Sequence, residues 1–241
     1  MGRPGGAGLM QSYFTPAPVE GRAQLDPQDA HHLIRVLRAK PKERIAVVFS
    51  GRRFEAELEI QGDEAWGRLL EPLTDSEPRC KVTLYQALPK GDKMDLIVQT
   101  CTQLGVHRIV PCMMLRCVGK WENGGKKLQR WQRIAREAAM QSGRAQVPRI
   151  DDCLSFEGLC KALAAHELAL VPWEEGGQSL RAAYQGALDI AFVVGPEGGI
   201  TKDEITQIPA QPLTLGPRIL RTQTAGMAAV TMLLTLSGDM D

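Results

Sequence analysis

The chain has 241 residues, of which 44% are hydrophobic and 24% charged, and its formal net charge is +1. That is comfortable for two domains and ordinary for a soluble globular protein. No run approaches the roughly 18 apolar residues of a membrane span, and the near-neutral total argues against a general polyanion binder.

The opening "MGRPGGAGLMQ" has one basic residue and no apolar stretch, so it does not read as a secretory signal. Residues 1–10 are expected to be a disordered leader, with Met10 as the functional start. "DPQDAHHLIRVLRA" reads as a helix capped by Asp26, with Pro27 at its first position. "RIAVVFS", "RFEAELEI" and "EAWGRLLE" read as strands, the second alternating apolar and acidic residues with a period of two. Residues 11–75 are therefore expected to form a small β-barrel-like module. Two prolines with Thr, Asp and Ser in "EPLTDSEPRC" (71–80) mark its end.

The grain then changes. "KVTLYQAL" reads as a strand, "KMDLIVQTCTQLG" as a helix ending at Gly105, and "HRIVPCMM" as a strand. "KKLQRWQRIAREAAMQSG" reads as a helix, and "LALVPW" and "DIAFVVG" as strands buried in a parallel sheet. "TKDEITQI" starts a helix at Thr201, with Glu204 in capping-box position. A last helix runs from Thr222 to about Leu236. Strands alternating with helices over 79–241 predict an α/β domain around a parallel sheet.

Six cysteines (Cys80, Cys101, Cys112, Cys117, Cys153, Cys160) form no CxxC and sit mostly in apolar segments. They read as buried thiols of a reducing cytoplasm. His31-His32 lacks a second ligand cluster at metal-site spacing, so no metal is expected. Charge is uneven: His31 to Arg53 holds seven Lys/Arg against Glu43, and Arg116 to Arg149 holds nine against Glu122 and Glu137. On charge alone, a phosphate-tracking surface and a solvated face balanced by acids elsewhere fit equally. Trp131, between Arg130 and Arg133, fits a core position better than a base-stacking one.

In a parallel sheet, ligands gather beyond the carboxyl ends of the strands. Three such loops stand out: "VPWEEGG" (171–177), "VGPEGGITKDE" (194–204) and "LGPRILRTQT" (215–224). In each, a strand runs into Gly or Pro, which lets a ligand approach the backbone. None is a dinucleotide fingerprint or a P-loop.

The stretches "LPKGDKMDLIVQTCTQLGV" (88–106), "RWQRIAREAAMQSGR" (130–144), "VVGPEGGITKDEI" (193–205) and "LGPRILRTQTA" (215–225) resemble, in order and spacing, the RsmE family. "HHLIRVLR" (31–38) extends the resemblance into the front module. These are SPOUT-class enzymes that methylate N3 of a uridine in 16S ribosomal RNA. The resemblance implies a PUA-like barrel followed by a parallel α/β domain with a C-terminal trefoil knot, which bottom-up topology rules would argue against. It implies S-adenosylmethionine bound by Val171 and Pro172, by Gly195, Pro196, Glu197 and Gly198, and by Leu215, Gly216, Ile219 and Leu220. Ile219 and Leu220 would pack on the adenine.

Under the same resemblance Arg221, with Arg218 or Arg144 near, would stabilise the uracil anion formed when N3 loses its proton. Arg218 fits a phosphate contact or a dimer salt bridge equally well. Arg35, Arg38, Lys40 and Arg144 would contact RNA, with Arg35 and Arg38 on one helical face. The small, apolar final helix would be buried in a homodimer interface. The family pattern implies carboxylates where this chain has Gln223 and Gln103, and a glutamine cannot accept the proton. Gln223 then orients its neighbours, with Glu197 or solvent as the proton acceptor, or the chain is a non-catalytic RNA-binding or ribosome-assembly factor. A methyltransferase of the same class acting on another RNA position is the remaining alternative.

Overall fold

The computed structural model of the chain describes residues 10–240. The expected leader, apart from Met10, lies outside the described residues. The chain divides into two compact units. One extends to Glu77 and takes in Ala139–Gln146; the other comprises Pro78–Ala138 and everything from Val147 onward.

In the front unit, β1 (Ser12–Phe14) and β2 (Arg22–Gln24) precede a short helix, α1 (Pro27–His31). Asp26 caps that helix by accepting from the Gln28 N–H, with Pro27 in the first turn. The helix passes into one π turn (His32–Val36) and stops. The Ala39 N–H returns to the Leu33 carbonyl, and Arg38 takes a left-handed backbone, φ +54°. The helix is thus shorter than the sequence pattern suggests, and Arg35 and Arg38 do not share a helical face. The strands β3 (Arg44–Phe49), β4 (Arg52–Gln61) and β5 (Glu64–Pro72) follow. The sheet order is β1-β3-β4-β5-β2, antiparallel except for β1 against β3. Tyr13, Leu25, Leu33, Ile45, Val47 and Leu58 fill its concave side.

The second unit contains β6 (Lys81–Ala87), α2 (Lys93–Leu104), β7 (Arg108–Cys112) and most of α3 (Gly124–Ser142). Then come β8 (Arg149–Ile150), α4 (Phe156–Leu163), β9 (Leu168–Pro172), β10 (Gln178–Ser179) and α5 (Leu180–Ala183). It ends with β11 (Asp189–Val194), α6 (Lys202–Gln207), β12 (Gln211–Thr214) and α7 (Thr222–Leu236). The strands form one parallel sheet in the order β10-β12-β9-β11-β6-β7-β8.

Because side chains alternate along a strand, β6 and β11 feed two cores. Val82, Leu84, Ile190 and Phe192 point to the side covered by α2, α3, α5 and α7. Tyr85, Ala191 and Val193 point to the side covered by α4 and α6. Both faces being buried explains the nearly continuous apolar strands. Trp131 belongs to the first core, 4% exposed, its indole N–H donating to Asp95 at 3.1 Å. The Thr201–Glu204 capping box forms as the sequence predicts. Among the described residues no helix is long and apolar enough to cross a membrane.

The sheet contains one unusual crossing. β12 lies between β9 and β10, so Leu213 pairs with Pro172 on one side and Gln178 on the other. The five-residue bridge Trp173–Gly177 therefore straddles β12. At the crossing, a Cβ on Gly177 (φ +149°) would lie 2.6 Å from the Leu213 Cα. Only glycine lets the two backbones pass so closely.

Candidate active site

The carboxyl ends of β9, β11 and β12 open into a cleft of about 660 Å³, within the roughly 300–1,000 Å³ typical of ligand sites. Pro172, Trp173 and Glu174 line it from the first loop, and Gly195 through Ile200 from the second. The third wall runs from Leu213 through Gln223, including Leu215, Gly216, Arg218, Ile219, Leu220 and Arg221. The three strand-end loops singled out in the sequence thus meet at one place. Val171 does not line the cleft; its side chain is buried in the core under α4 and α6.

The walls are mostly backbone and apolar side chains. Ile219 stands 86% exposed, while Leu220 leans partly onto the core beneath. The first residues of α7 also line the cleft, and their N–H groups, with the positive end of the helix dipole, favour negative charge there. Arg218 and Arg221 are exposed on this wall, and neither has an ion-pair partner among the described residues. Gln223 faces the cleft with its Oε1 shielded from solvent and accepting no hydrogen bond.

Glu197 is held from below. Its Oε1 accepts from the Lys93 Nζ at 2.6 Å and the Lys90 N–H at 3.1 Å. Burial alone would raise its carboxyl, but the Lys93 hydrogen bond and the backbone N–H donors outweigh burial and hold it below the usual carboxylate range. A carboxylate held anionic this way is a weaker base. Arg116, whose guanidinium donates to the Gly198 carbonyl at 2.9 Å, braces the same loop. Arg116 carries no distinguishing sequence signal, being one basic residue among many, whereas Lys93 lies inside the family-like stretch 88–106 that could have pointed to it.

Arg144 is placed elsewhere. It is 5% exposed in the front unit and chelates Glu77, with Nη2–Oε2 at 2.6 Å and Nε 3.2 Å from both oxygens. Glu77 Oε1 also accepts from the Ala145 and Gln146 N–H groups, 2.8 and 3.2 Å away. Arg144 is a buried ion-pair partner here, not a cleft residue. Arg35 is exposed and paired with Asp63 at 2.6 Å, while Arg38 and Lys40 project into solvent.

A parallel sheet with a strand-end cleft, preceded in the chain by a small mixed sheet, defines the class. A family model for an RNA methyltransferase domain matches residues 76–234, and one for an RNA methyltransferase PUA domain matches residues 25–70. The ribosomal RNA small subunit methyltransferase E of Bacillus subtilis is 34% identical over 85% of this chain and 86% of its own. The protein of that name from Synechocystis is 36% identical over 90% and 74%. The crystal structure of a ribosomal RNA small subunit methyltransferase E from Neisseria gonorrhoeae, bound to S-adenosyl methionine, superposes with a TM-score of 0.84. That pair is 32% identical and covers 94% of this chain and 98% of the other. The chain belongs to the ribosomal RNA small subunit methyltransferase E family.

Proposed function

We propose that this protein uses S-adenosylmethionine to methylate N3 of a specific uridine in the 16S RNA of the small ribosomal subunit. The observation that carries the reading is the cleft itself: three glycine-rich strand ends, an exposed Ile219 and the start of α7 converge beside Arg218 and Arg221. S-adenosylmethionine supplies an electrophilic methyl group on a sulfonium. The donor set suits such a molecule. Backbone groups of 195–200 and 215–220 would hold its ribose and amino-acid parts, and an apolar side chain standing in water is one that an adenine ring would cover.

Chemistry at uracil N3 requires loss of its proton, and the resulting charge spreads onto O2 and O4. Arg221 would face that charge and Arg218 would bind it or the adjoining phosphate, both aided by the α7 N-terminus. With Glu197 committed to Lys93, the proton passes to solvent, and the Gln223 amide orients the base. Alignment then carries the step, an effect worth up to about 7–11 kcal/mol. Arg38 and Lys40, with Arg35 where Asp63 releases it, would track phosphates from the front module.

The bridge over β12 supports a knotted C-terminal segment. The apolar circumference of α7, with Met232 38% and Leu96 46% exposed, supports a homodimer formed through α7 and α2. The setting is cytoplasmic.

The test offers the protein labelled S-adenosylmethionine and small subunits from cells lacking this activity. The expected result is label at N3 of one 16S uridine. Bound cofactor without transfer would instead favour a binding or assembly factor, and label at another position a different RNA target.

A further inference from the structure

Gln86 sits at the end of β6, wholly buried, in a strand whose other inward side chains are apolar apart from Thr83. Its Nε2 donates to the Thr222 Oγ1 at 3.0 Å and to the Ala87 carbonyl at 3.1 Å. The Thr222 hydroxyl in turn donates to the Gly195 carbonyl at 2.8 Å. Both groups facing Nε2 are acceptors in this arrangement, so only the NH₂ end of the amide can point at them. Oε1 is left buried with no hydrogen-bond partner.

We propose that Gln86 is a positioning residue: its amide fixes the Thr222 hydroxyl on the Gly195 carbonyl and so locks the two loops that line the cleft in register. The inference rests on the methyl-transfer reading above. Gly195 opens the loop after β11, and Thr222 opens α7 directly behind Arg221 and ahead of Gln223. The relay is therefore the buried joint between the second cleft wall and the third. Gly226, one turn along α7, makes room for it: a Cβ there would lie 3.4 Å from the Gln86 Oε1 and 3.2 Å from Leu84.

The stability cost points to function. A buried acceptor without a partner destabilises the fold, and an apolar side chain of similar shape would remove that penalty. Gln86→Met removes that orphaned acceptor but also both Nε2 hydrogen bonds, so if Gln86 served only the core, any loss of cofactor affinity would follow the loss of stability. As a positioning residue, its replacement loosens the cleft while the fold is kept.

The experiment uses the full chain and four variants: Gln86→Met, Thr222→Val, the double variant, and Thr222→Ser, which keeps the hydroxyl. S-adenosylmethionine affinity is measured by calorimetry, with melting temperature and methyl-transfer kcat and KM alongside. Expected are a fivefold or greater loss of affinity in Gln86→Met and in Thr222→Val, and no larger loss in the double variant, because one relay is cut either way. Thr222→Ser stays within twofold, and Gln86→Met melts close to wild type, because removing the orphaned Oε1 offsets the two Nε2 hydrogen bonds lost. Gln86→Glu adds a pH signature. Only its protonated form can donate, so its activity relative to wild type rises as pH falls. Affinities within twofold of wild type in both relay variants, additive losses in the double variant, or losses that track a fall in melting temperature would each overturn the relay. Should wild type itself bind no S-adenosylmethionine, the functional reading falls and the relay with it.

Discussion

Arginine is used in opposite ways in the two units. In the front unit, Arg144 is buried and chelated by Glu77, whose remaining capacity is taken by two backbone N–H groups. In the second unit, Arg218 and Arg221 stand exposed at the mouth of a cleft, beside a helix N-terminus that adds to their positive field. A guanidinium matched to a buried carboxylate holds a loop in place and is spent. One left unmatched beside a concave apolar wall keeps its charge for an incoming group. Residue type is identical in the two places; what differs is whether the fold has already supplied the anion.

That contrast can be broken from either side. The largest effect is expected from Glu77→Gln, which strips the carboxylate charge from buried Arg144 and should destabilise the front unit by about 3–5 kcal/mol. Denaturant unfolding measures it, and a loss below about 1 kcal/mol, the worth of an exposed pair, would mean that Arg144 is not committed to the fold. Arg221→Ala should leave the melting temperature and cofactor affinity near wild type while methyl transfer drops about 10²–10³-fold, the range for removing one donor to a developing charge. A melting temperature that falls with activity would place Arg221 in the same class as Arg144.

Smaller effects sharpen the picture. Gly177→Ala forces apart the bridge and β12, at a cost of about 1–3 kcal/mol. Cofactor affinity should weaken with it, since both strands feed the cleft; unchanged affinity would separate the crossing from the site. Asp239 closes the other end of the second unit, accepting from the Arg79 and Cys80 N–H groups and from the Arg79 side chain. Burial works against its ionisation, but these donors and the Ser237 hydroxyl lower its carboxyl from 3.8 to about 2. A depressed folded-state value contributes stability that is complete above about pH 4 and is lost as pH falls through about 2. Asp239→Asn should therefore cost about 1–2 kcal/mol at neutral pH and flatten the stability profile across that acid window.

Much of this could be read from the chain. The α2 helix ending at Gly105, the capping box of α6 and the span of α7 are local, and local chemistry decides them. The three strand-end loops were legible for the same reason. What escaped was non-local. Arg144 looks like one cation of a basic block because its partner, Glu77, lies 67 residues earlier. Gln86 looks like an ordinary polar position on a strand, since its side-chain partner Thr222 arrives from α7, 136 residues later. The short strands β1, β2, β10 and β12 have too few residues to show a period, and they exist because a neighbour offers an edge. The placement of β12 between β9 and β10 has no sequence signature at all.

That placement sets a schedule. Among the described residues β10 hydrogen-bonds into the sheet only through β12, yet β12 leaves the ribosome after β10, α5, β11 and α6. A growing chain therefore holds β10 unattached while the strand that will receive it is still being made. At about 5–20 residues per second, that wait lasts seconds. The third wall of the cleft, which runs from the end of β12 into the start of α7, is absent from the unfinished chain. A chain cut short before α7 therefore carries the front module without the residues that complete the cleft.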